Sequence, residues 1–299
     1  MTTSGTKAID GTLPQRNARS PQLARLLRRL RGADALVGIA IVLATFACLV
    51  GADWIARHDP YEVDLSIALK PPSEAHWMGT DQFGRDMFAR IVHGARYSVL
   101  MGLIVVASST VIGVLLGSLA GFFGGWLDEL IMRITDLMMG FPPLLFAMLV
   151  SAVLGATLTN AIIAAAAIWW PSYVRLMRGQ VLSTRNELYV EASRSIGATN
   201  GRLIWRHVFP NSWGPIIVRG TMDVGRAVIF VGALSFIGLG AQPPLPEWGT
   251  TLAEARSFII GAWWYVTFPG LAIFLTVFSY VMTGEAMRDA LDPRLKKRE

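Results

Sequence analysis

Six long apolar stretches alternate with polar segments along the 299-residue chain. Each stretch is close to the roughly 17–25 residues that an α-helix needs to cross about 30 Å of hydrocarbon. The stretches are Ala35–Ala52, Val99–Phe122, Ile134–Leu154, Asn160–Met177, Ile216–Leu239 and Trp263–Met282. The pattern therefore predicts an all-α integral membrane protein with six transmembrane helices.

Proline and glycine mark three of these stretches. The third contains Pro142 and Pro143, and the fourth contains Pro171. Proline lacks an amide hydrogen and clashes with the preceding helical turn, so we expect a kink at each place. Gly113 and Gly117 stand four residues apart in the second stretch. Their spacing is typical of a close contact between two membrane helices.

The composition agrees with a membrane protein and excludes an ordinary soluble domain. Hydrophobic residues make up 53% of the chain and charged residues 16%, and the mean hydropathy is +0.46. A soluble globule of this size cannot hide so much apolar surface. The single cysteine, Cys48, lies in the first apolar stretch and allows no intrachain disulfide.

The distribution of charge predicts the orientation. The basic residues concentrate in the N-terminal tail, in Gly124–Arg133, in Arg178–Pro215 and after Thr283, whereas the other polar segments, Asp53–Arg96 and Ala241–Ala262, are balanced or acidic. Positive loops stay on the cytoplasmic side. We therefore expect a protein of the bacterial cytoplasmic (inner) membrane with both termini on the cytoplasmic side. The net charge of +6 then reflects topology and membrane lipid, and we expect no nucleic-acid partner.

Four regions follow from this topology. Residues 1–33 form a cytoplasmic tail whose segment 22–31 has leucines on one helical face and arginines on the other, typical of an amphipathic helix on lipid headgroups. A solvated basic tail is the alternative. Residues 34–96 hold the first span and an extracytoplasmic loop. Residues 97–286 hold the other five spans, with a loop at about 184–212, and residues 287–299 form the C-terminal tail. The first span reads as a retained anchor, since no convincing signal-peptide cleavage site follows it.

The loop between the fourth and fifth stretches is long and helically patterned. Thr184 and Glu187 have the spacing of a capping box, in which each side chain satisfies a backbone amide of the other residue, so they predict a helix start. Leu188 and Ile196 then lie on one helical face. Gly197 follows them and is suited to a left-handed helix cap.

A second helix is predicted to start at Thr199 and to stop at Pro210. The loop would then be two short helices joined by a bend, tethered outside the bilayer by a span on either side. Such an element suits the transmission of movement from a soluble partner. A DNA-reading helix-turn-helix and a mere structural connector are the alternatives.

The same loop resembles a known family. Glu191, Ala192, Ser193, Gly197 and Pro210 match, in type and spacing, the EAA signature of ABC-importer permease subunits. Two departures stand out: the third position is Ser193 rather than Ala, and His207 and Phe209 replace the Ile and Leu that precede the proline in the family.

Three further segments are similar to the C-type permease of dipeptide and oligopeptide (peptide/nickel) importers. They are Gly79–Asp86 with its continuation to Arg96, Gly238–Gly249 and Asp289–Arg294. The resemblance covers nearly the whole chain after residue 33 and implies a type-I transmembrane domain. It leaves peptides, nickel, glutathione and opines open as substrates.

The resemblance also implies partners and roles. They are a homologous second permease, two ABC ATPase subunits that bind ATP and Mg, and an extracytoplasmic substrate-binding protein. No cofactor is then expected on this chain. The residues implied in ATPase coupling are Glu191, Ala192, Ser193, Gly197, His207 and Pro210.

Charged residues suggest two further candidate sites. Arg219, Asp223 and Arg226 share one face of the fifth stretch and would line the pathway or the seam between permeases, or form a structural ion pair. Asp81, Arg85 and Asp86 lie in the outer loop, close to Gly79 and Gly84, which allow tight turns. They would contact the binding protein or gate the entrance, or they would only order the loop.

Other chemistry finds little support. His58, His76 and His93 match no usual metal-ligand spacing, so no metal site is expected. The aromatic residues Trp248, Trp263, Trp264 and Tyr265 predict an interfacial belt. Phosphate-loop and hydrolase signatures are missing from the sequence, so we expect no enzyme. A non-transport membrane scaffold or an intramembrane enzyme remains the alternative.

Overall fold

The computed structural model describes residues 33–291. The N-terminal segment predicted as an amphipathic helix lies outside the described residues, as does the chain after Leu291. The helices are α1 (Ala33–Ile55), α2 (Met87–Phe123), α3 (Gly125–Met139), α4 (Pro143–Leu154), α5 (Leu158–Arg185), α6 (Leu188–Ser195), α7 (Asn200–Leu203), α8 (Phe209–Phe236), α9 (Trp248–Ala255) and α10 (Trp263–Leu291). The all-helical fold class is confirmed.

The number of spans is confirmed only in part. Within residues 33–291, α1, α2 and α10 are long and apolar enough to cross a membrane, and the bent pair α3–α4 raises the total to four if it counts as one span. The fourth and fifth predicted spans lie in α5 and α8, which have 28 residues each. These two helices are long enough, but they carry more polar and charged residues.

The third predicted span is broken. α3 and α4 meet at 90° around Gly140, Phe141 and Pro142, which confirms the expected kink. Pro143 begins α4, where its missing amide hydrogen costs nothing. The segment Gly124–Arg133, expected to be a loop, is instead mostly the first part of α3.

The centre of the molecule is the contact between α2 and α5. A Cβ atom at Gly113 would lie 2.2 Å from Cβ of Tyr173, and one at Gly121 would lie 2.9 Å from Cβ of Val181. At Gly117, between them, an added Cβ atom would lie 2.6 Å from the carbonyl oxygen of Val174. The predicted small-residue contact is confirmed, and it brings two helix backbones close together over two turns.

The prediction of an interfacial aromatic belt is wrong for three of its four residues. Trp248, Trp264 and Tyr265 are buried, and only Trp263 is exposed, at 54%. The indole nitrogen of Trp264 donates to the carbonyl of Thr80 at 3.1 Å. A buried indole is stable when its N–H finds a partner, so these rings hold α9 and α10 against the outer segment between α1 and α2.

Candidate functional site

The loop between α5 and α8 begins later than its sequence suggests. Thr184 is buried in the last turn of α5, and α6 starts at Leu188 with Glu187 as its N-cap and no side-chain hydrogen bond there. The predicted capping box is therefore wrong. Thr184 is itself a buried residue of the preceding helix, so it cannot be the N-cap of the next one.

Gly197 ends α6 as predicted. Its φ is +88°, and a Cβ atom there would meet nothing within 4 Å, so the conformation and not the space requires glycine. The amide of Gly197 donates to the carbonyl of Arg194 at 3.0 Å, and the amide of Ala198 donates to that of Ser193 at 3.1 Å. These two bonds form a Schellman cap that turns the chain sharply.

The second helix starts at Thr199 as predicted but does not stop at Pro210. The hydroxyl of Thr199 accepts from the amide of Arg202 at 3.4 Å. The helix then passes through one π-helical turn, Ile204–Val208, and continues as α8. Pro210 lies in the first turn of α8, where the wider π turn already changes the hydrogen-bonding pattern and a missing amide hydrogen is tolerated.

The loop divides its apolar residues between two surfaces. Val190, Leu203 and Val208 are buried in the main core. Leu188 and Ile196 are 81% and 87% exposed. Glu191 and Ala192 are also exposed on α6. The loop is thus anchored to the core and presents outward the apolar side chains of Leu188 and Ile196 among exposed charged residues, which are Glu187, Glu191, Arg194, Arg202 and Arg206.

The residues that depart from the family signature contact one another. Ser193 Oγ lies 3.4 Å from Nε2 of His207 and donates to the carbonyl of Tyr189 at 2.8 Å. The side-chain Nδ2 of Asn211 donates to the Tyr189 hydroxyl at 3.1 Å and to the His207 carbonyl at 2.6 Å. The substitutions therefore form a small polar contact that ties α6 to the start of α8.

Phe209, the other departure, is held by aromatic neighbours. Its ring centroid lies 5.0 Å from those of Trp205 and of Trp213. Trp205 is 66% exposed. The ring of Phe209 therefore supports the outward-facing tryptophan of the π turn.

The charges of α8 form the expected cluster near the middle of that helix. Asp223 is fully buried; its Oδ2 accepts from Nε of Arg219 at 2.7 Å, and its Oδ1 accepts from Nη1 of Arg226 at 3.0 Å. The two arginine side chains are 39% and 56% exposed. A buried carboxylate thus holds two guanidinium groups on an open face of the helix.

Sequence reasoning missed a fourth member of this cluster. The hydroxyl of Tyr173 donates to Oδ2 of Asp223 at 3.0 Å. Tyr173 is buried on α5 and packs against Gly113 of α2. The cluster therefore sits where α2, α5 and α8 meet. The sequence shows a tyrosine in one predicted span and an aspartate in the next, but their spacing does not predict that they are in contact.

The outer segment contains a buried charge network. Asp81 accepts from Nε of Arg85 at 2.6 Å, Arg85 reaches Glu254 at 3.1 Å, and Arg90 also donates to Glu254 at 3.0 Å. All four side chains are at most 8% exposed. Burial tends to lower the pKa of Arg85, but Asp81 and Glu254 outweigh it and raise that pKa. We call these four residues the outer network.

Two glycines shape the outer segment as expected. Gly79 and Gly84 have φ of +75° and +74°, and a Cβ atom at Gly84 would lie 1.8 Å from the carbonyl oxygen of Asp64. Asp86 caps α2 by accepting from the amide of Ala89 at 2.7 Å. Asp81, Arg85 and Asp86 are all buried. A partner protein would therefore meet the surface that they order, and their proposed role in binding stays a prediction.

Two of the three histidines lie close together although their sequence spacing matches no usual metal-ligand pattern. Nδ1 of His76 lies 2.9 Å from Oδ1 of Asp86, and His58 lies beside His76 with ring centroids 4.9 Å apart. His93 lies outside this group, 3.9 Å from Asp53, although it lines the same cavity as His58. The structure thus brings together two of the three histidines with a carboxylate.

Comparison with known proteins gives a consistent result. A family model described as a binding-protein-dependent transport system inner membrane component matches residues 113–297. A probable D,D-dipeptide transport system permease protein of Escherichia coli K12 is 44% identical over 91% of each chain. The di/tripeptide transport system permease protein of Pseudomonas aeruginosa is 46% identical over 88% of each chain. The glutathione transport system permease protein of Pectobacterium atrosepticum is 40% identical over 97% of this chain and 98% of its own.

A solved structure shares the fold. It is an inward-facing form of the MetNI methionine ABC transporter, with a TM-score of 0.56 and 18% identity. The match covers 69% of this chain and 98% of that one. At this identity the likeness shows the fold alone.

Proposed function

Since the chain belongs to the family of binding-protein-dependent transport system inner membrane components and is thus a permease subunit of an ATP-binding cassette importer, we propose that it conducts short peptides through a pore shared with a second, homologous permease. Its multi-pass helices lie in the inner membrane. ATP and Mg are bound, and ATP is hydrolysed, by two separate ATPase subunits, and an extracytoplasmic binding protein delivers the substrate. The chain itself uses no cofactor.

The proposal for the substrate rests on the relatives. Three relatives are named for dipeptides, for di- and tripeptides, and for glutathione. Each of these substrates is a short charged molecule that contains amide bonds between amino acids. We therefore propose di- or oligopeptides for this chain and place glutathione second.

The loop between α5 and α8 carries the proposal for coupling. Leu188 and Ile196 expose apolar surface around Glu191, and α6 is tied to the core at Val190. A protein surface of this kind is buried when a partner binds. We propose that the ATPase receives this surface, and that Gly197, Ser193, His207 and Pro210 hold its shape.

The cluster around Asp223 carries the proposal for the pathway. Arg219 and Arg226 keep exposed guanidinium groups on a membrane helix, where a charge is expensive unless it faces water or protein. We propose that this face lines the pathway or the seam with the second permease. Asp81, Arg85 and Asp86 would act at the other end by ordering the surface that meets the binding protein.

The proposed orientation places both termini and the loop between α5 and α8 in the cytoplasm. Its support is the excess of lysine and arginine in those segments. Reporter fusions at each terminus test it: an enzyme active only outside the cytoplasm should be inactive at both ends.

Peptide uptake by the intact system is the central experiment. Cells that lack their own peptide importers would express this chain with the permease, ATPase and binding-protein genes beside it. Uptake of a radiolabelled dipeptide should require this chain and compete with unlabelled dipeptides better than with glutathione. Purification of the chain without an ATPase would contradict the proposed ATPase partner. Uptake that is blocked by glutathione but by no dipeptide would contradict the proposed substrate.

A further inference from the structure

We propose that His58, His76 and Asp86 form a binding site for a transition-metal ion such as Zn²⁺ on the outer segment. One potential ligand atom from each residue lies within 4.8 Å of the others. Two imidazoles and a carboxylate are ligand types that Zn²⁺ prefers, and a water molecule commonly completes such a set. This site is independent of the transport proposal.

The hydrogen bonds around the histidines suit metal binding. Nε2 of His58 lies 3.1 Å from the carbonyl oxygen of Ala75, and a carbonyl can only accept. When that nitrogen carries the proton, Nδ1 of His58 keeps a free lone pair. Metal-binding histidines usually donate their second ring N–H to a carbonyl or a carboxylate in this way.

Asp86 has a charge that the neighbouring arginines do not balance. Arg85 and Arg90 pair with Asp81 and Glu254, whereas Asp86 pairs with His76 at 2.9 Å. Its side chain is 4% exposed, and its Oδ2 is fixed by the amide of Ala89. Oδ1 therefore points at His76, where a cation would balance a buried carboxylate.

The site is open to solution and needs only small movements. A tetrahedral ion with bonds of about 2.1 Å separates its ligand atoms by about 3.4 Å, so ligand atoms that lie up to 4.8 Å apart must approach by up to about 1.4 Å. His58 and His76 are both at least partly exposed, and a change of side-chain rotamer supplies such a shift. The bound ion would join the exit of α1, the turn at residues 73–79 and the start of α2.

Zinc titration of the purified full-length chain tests the proposal. The protein would carry an affinity tag without histidine, be stripped with a chelator and be titrated with ZnCl₂ in a calorimeter. We expect one ion per chain with a micromolar or lower Kd. His58→Ala should weaken binding at least about tenfold, and Asp86→Asn, which can still cap α2, should do the same. His93→Ala is the matched control, since it removes an outer histidine outside the cluster, and it should bind as the wild type does.

Thermal unfolding in the same samples provides a second readout. Zinc should raise the melting temperature of the wild type and of His93→Ala, and it should not raise that of His58→Ala. His58 is at least partly exposed, so its replacement leaves the fold intact. Wild-type binding no tighter than millimolar, or equal binding by the wild type and His58→Ala, would overturn the proposal.

Discussion

The outer network and the loop between α5 and α8 use their side chains in opposite ways. The network buries four charged groups, Asp81, Arg85, Arg90 and Glu254, and pairs each of them with an opposite charge. The loop exposes large apolar groups, with Leu188 and Ile196 more than four-fifths open. The outer network thus removes charged groups from water, whereas the loop leaves apolar groups in contact with it.

This difference indicates which region is complete within a single chain. Buried, mutually paired charges need no partner and hold α9 against the outer segment. Exposed apolar groups on a short tethered helix gain free energy only when another surface covers them. The charges of the outer network are therefore satisfied within this chain, whereas the exposed apolar side chains of the loop support the proposal that a partner covers them.

The largest expected effect comes from breaking the outer network. Glu254→Ala removes the shared partner of Arg85 and Arg90 and leaves these two buried cations beside the single carboxylate of Asp81. We expect a loss of about 3–5 kcal/mol in the free energy of unfolding, measured by thermal or denaturant unfolding in detergent. Asp53→Ala is the control, because its partner Arg96 is about one-third exposed, and it should have little effect. Equal melting temperatures for the wild type and Glu254→Ala would contradict the assigned role.

Gly197→Val tests the loop. A β-branched residue at φ +88° costs of order 1–3 kcal/mol, which is enough to displace α6 from its position. We expect peptide uptake to fall by about tenfold while the chain still folds and inserts. Gly201→Ala is the matched control, since Gly201 has an equally open Cβ position without a positive φ, and its uptake should stay normal. Full uptake by Gly197→Val would rule out the coupling role.

Asp223→Asn addresses the cluster that lies between the two regions. The substitution keeps the shape and removes the charge that holds Arg219 and Arg226. We expect uptake to fall several-fold. Tyr173→Phe removes a single hydrogen bond, worth about 0.5–3 kcal/mol, and should have the smaller effect. Unchanged uptake by Asp223→Asn would contradict a role in the pathway or seam.

The smallest expected effect is that of Ser193→Ala, which restores the residue type of the family signature. Ser193 loses its contacts with His207 and Tyr189, but it is only partly buried. Changes of this kind lie within about ±0.5 kcal/mol. Uptake within about twofold of the wild type is expected, and a larger loss would show that the contact between α6 and α8 is functional.

Long apolar runs predicted the all-helical fold because burial in lipid demands them, but the count of six spans is confirmed only in part. The break at Pro142 and the turn at Gly197 follow from local chemistry. The errors came where tertiary contacts decided. Thr184 belongs to the core of α5, and Trp264 finds a carbonyl of a distant segment, so neither plays the role that its local sequence suggested.

The candidate sites show the same division. The i, i+4 and i, i+3 spacing of Arg219, Asp223 and Arg226 fixed their contacts in advance. Tyr173, Glu254 and the approach of His58 to His76 could not be predicted, because each contact joins elements far apart in the chain. A single sequence contains no direct signal for such pairs.

The continuity of α7, the π turn and α8 has a mechanical consequence. Residues 200–236 run as one helical rod about 55 Å long at 1.5 Å per residue. The π turn Ile204–Val208 and Pro215 both interrupt the regular hydrogen bonding of this helix, so a displacement near Asn200 would bend it at these places as well as move it along its axis. The turn at Gly197 lies just before this helix, and Asp223 lies beyond both interruptions, so a force applied to α6 would reach the buried carboxylate only after passing them.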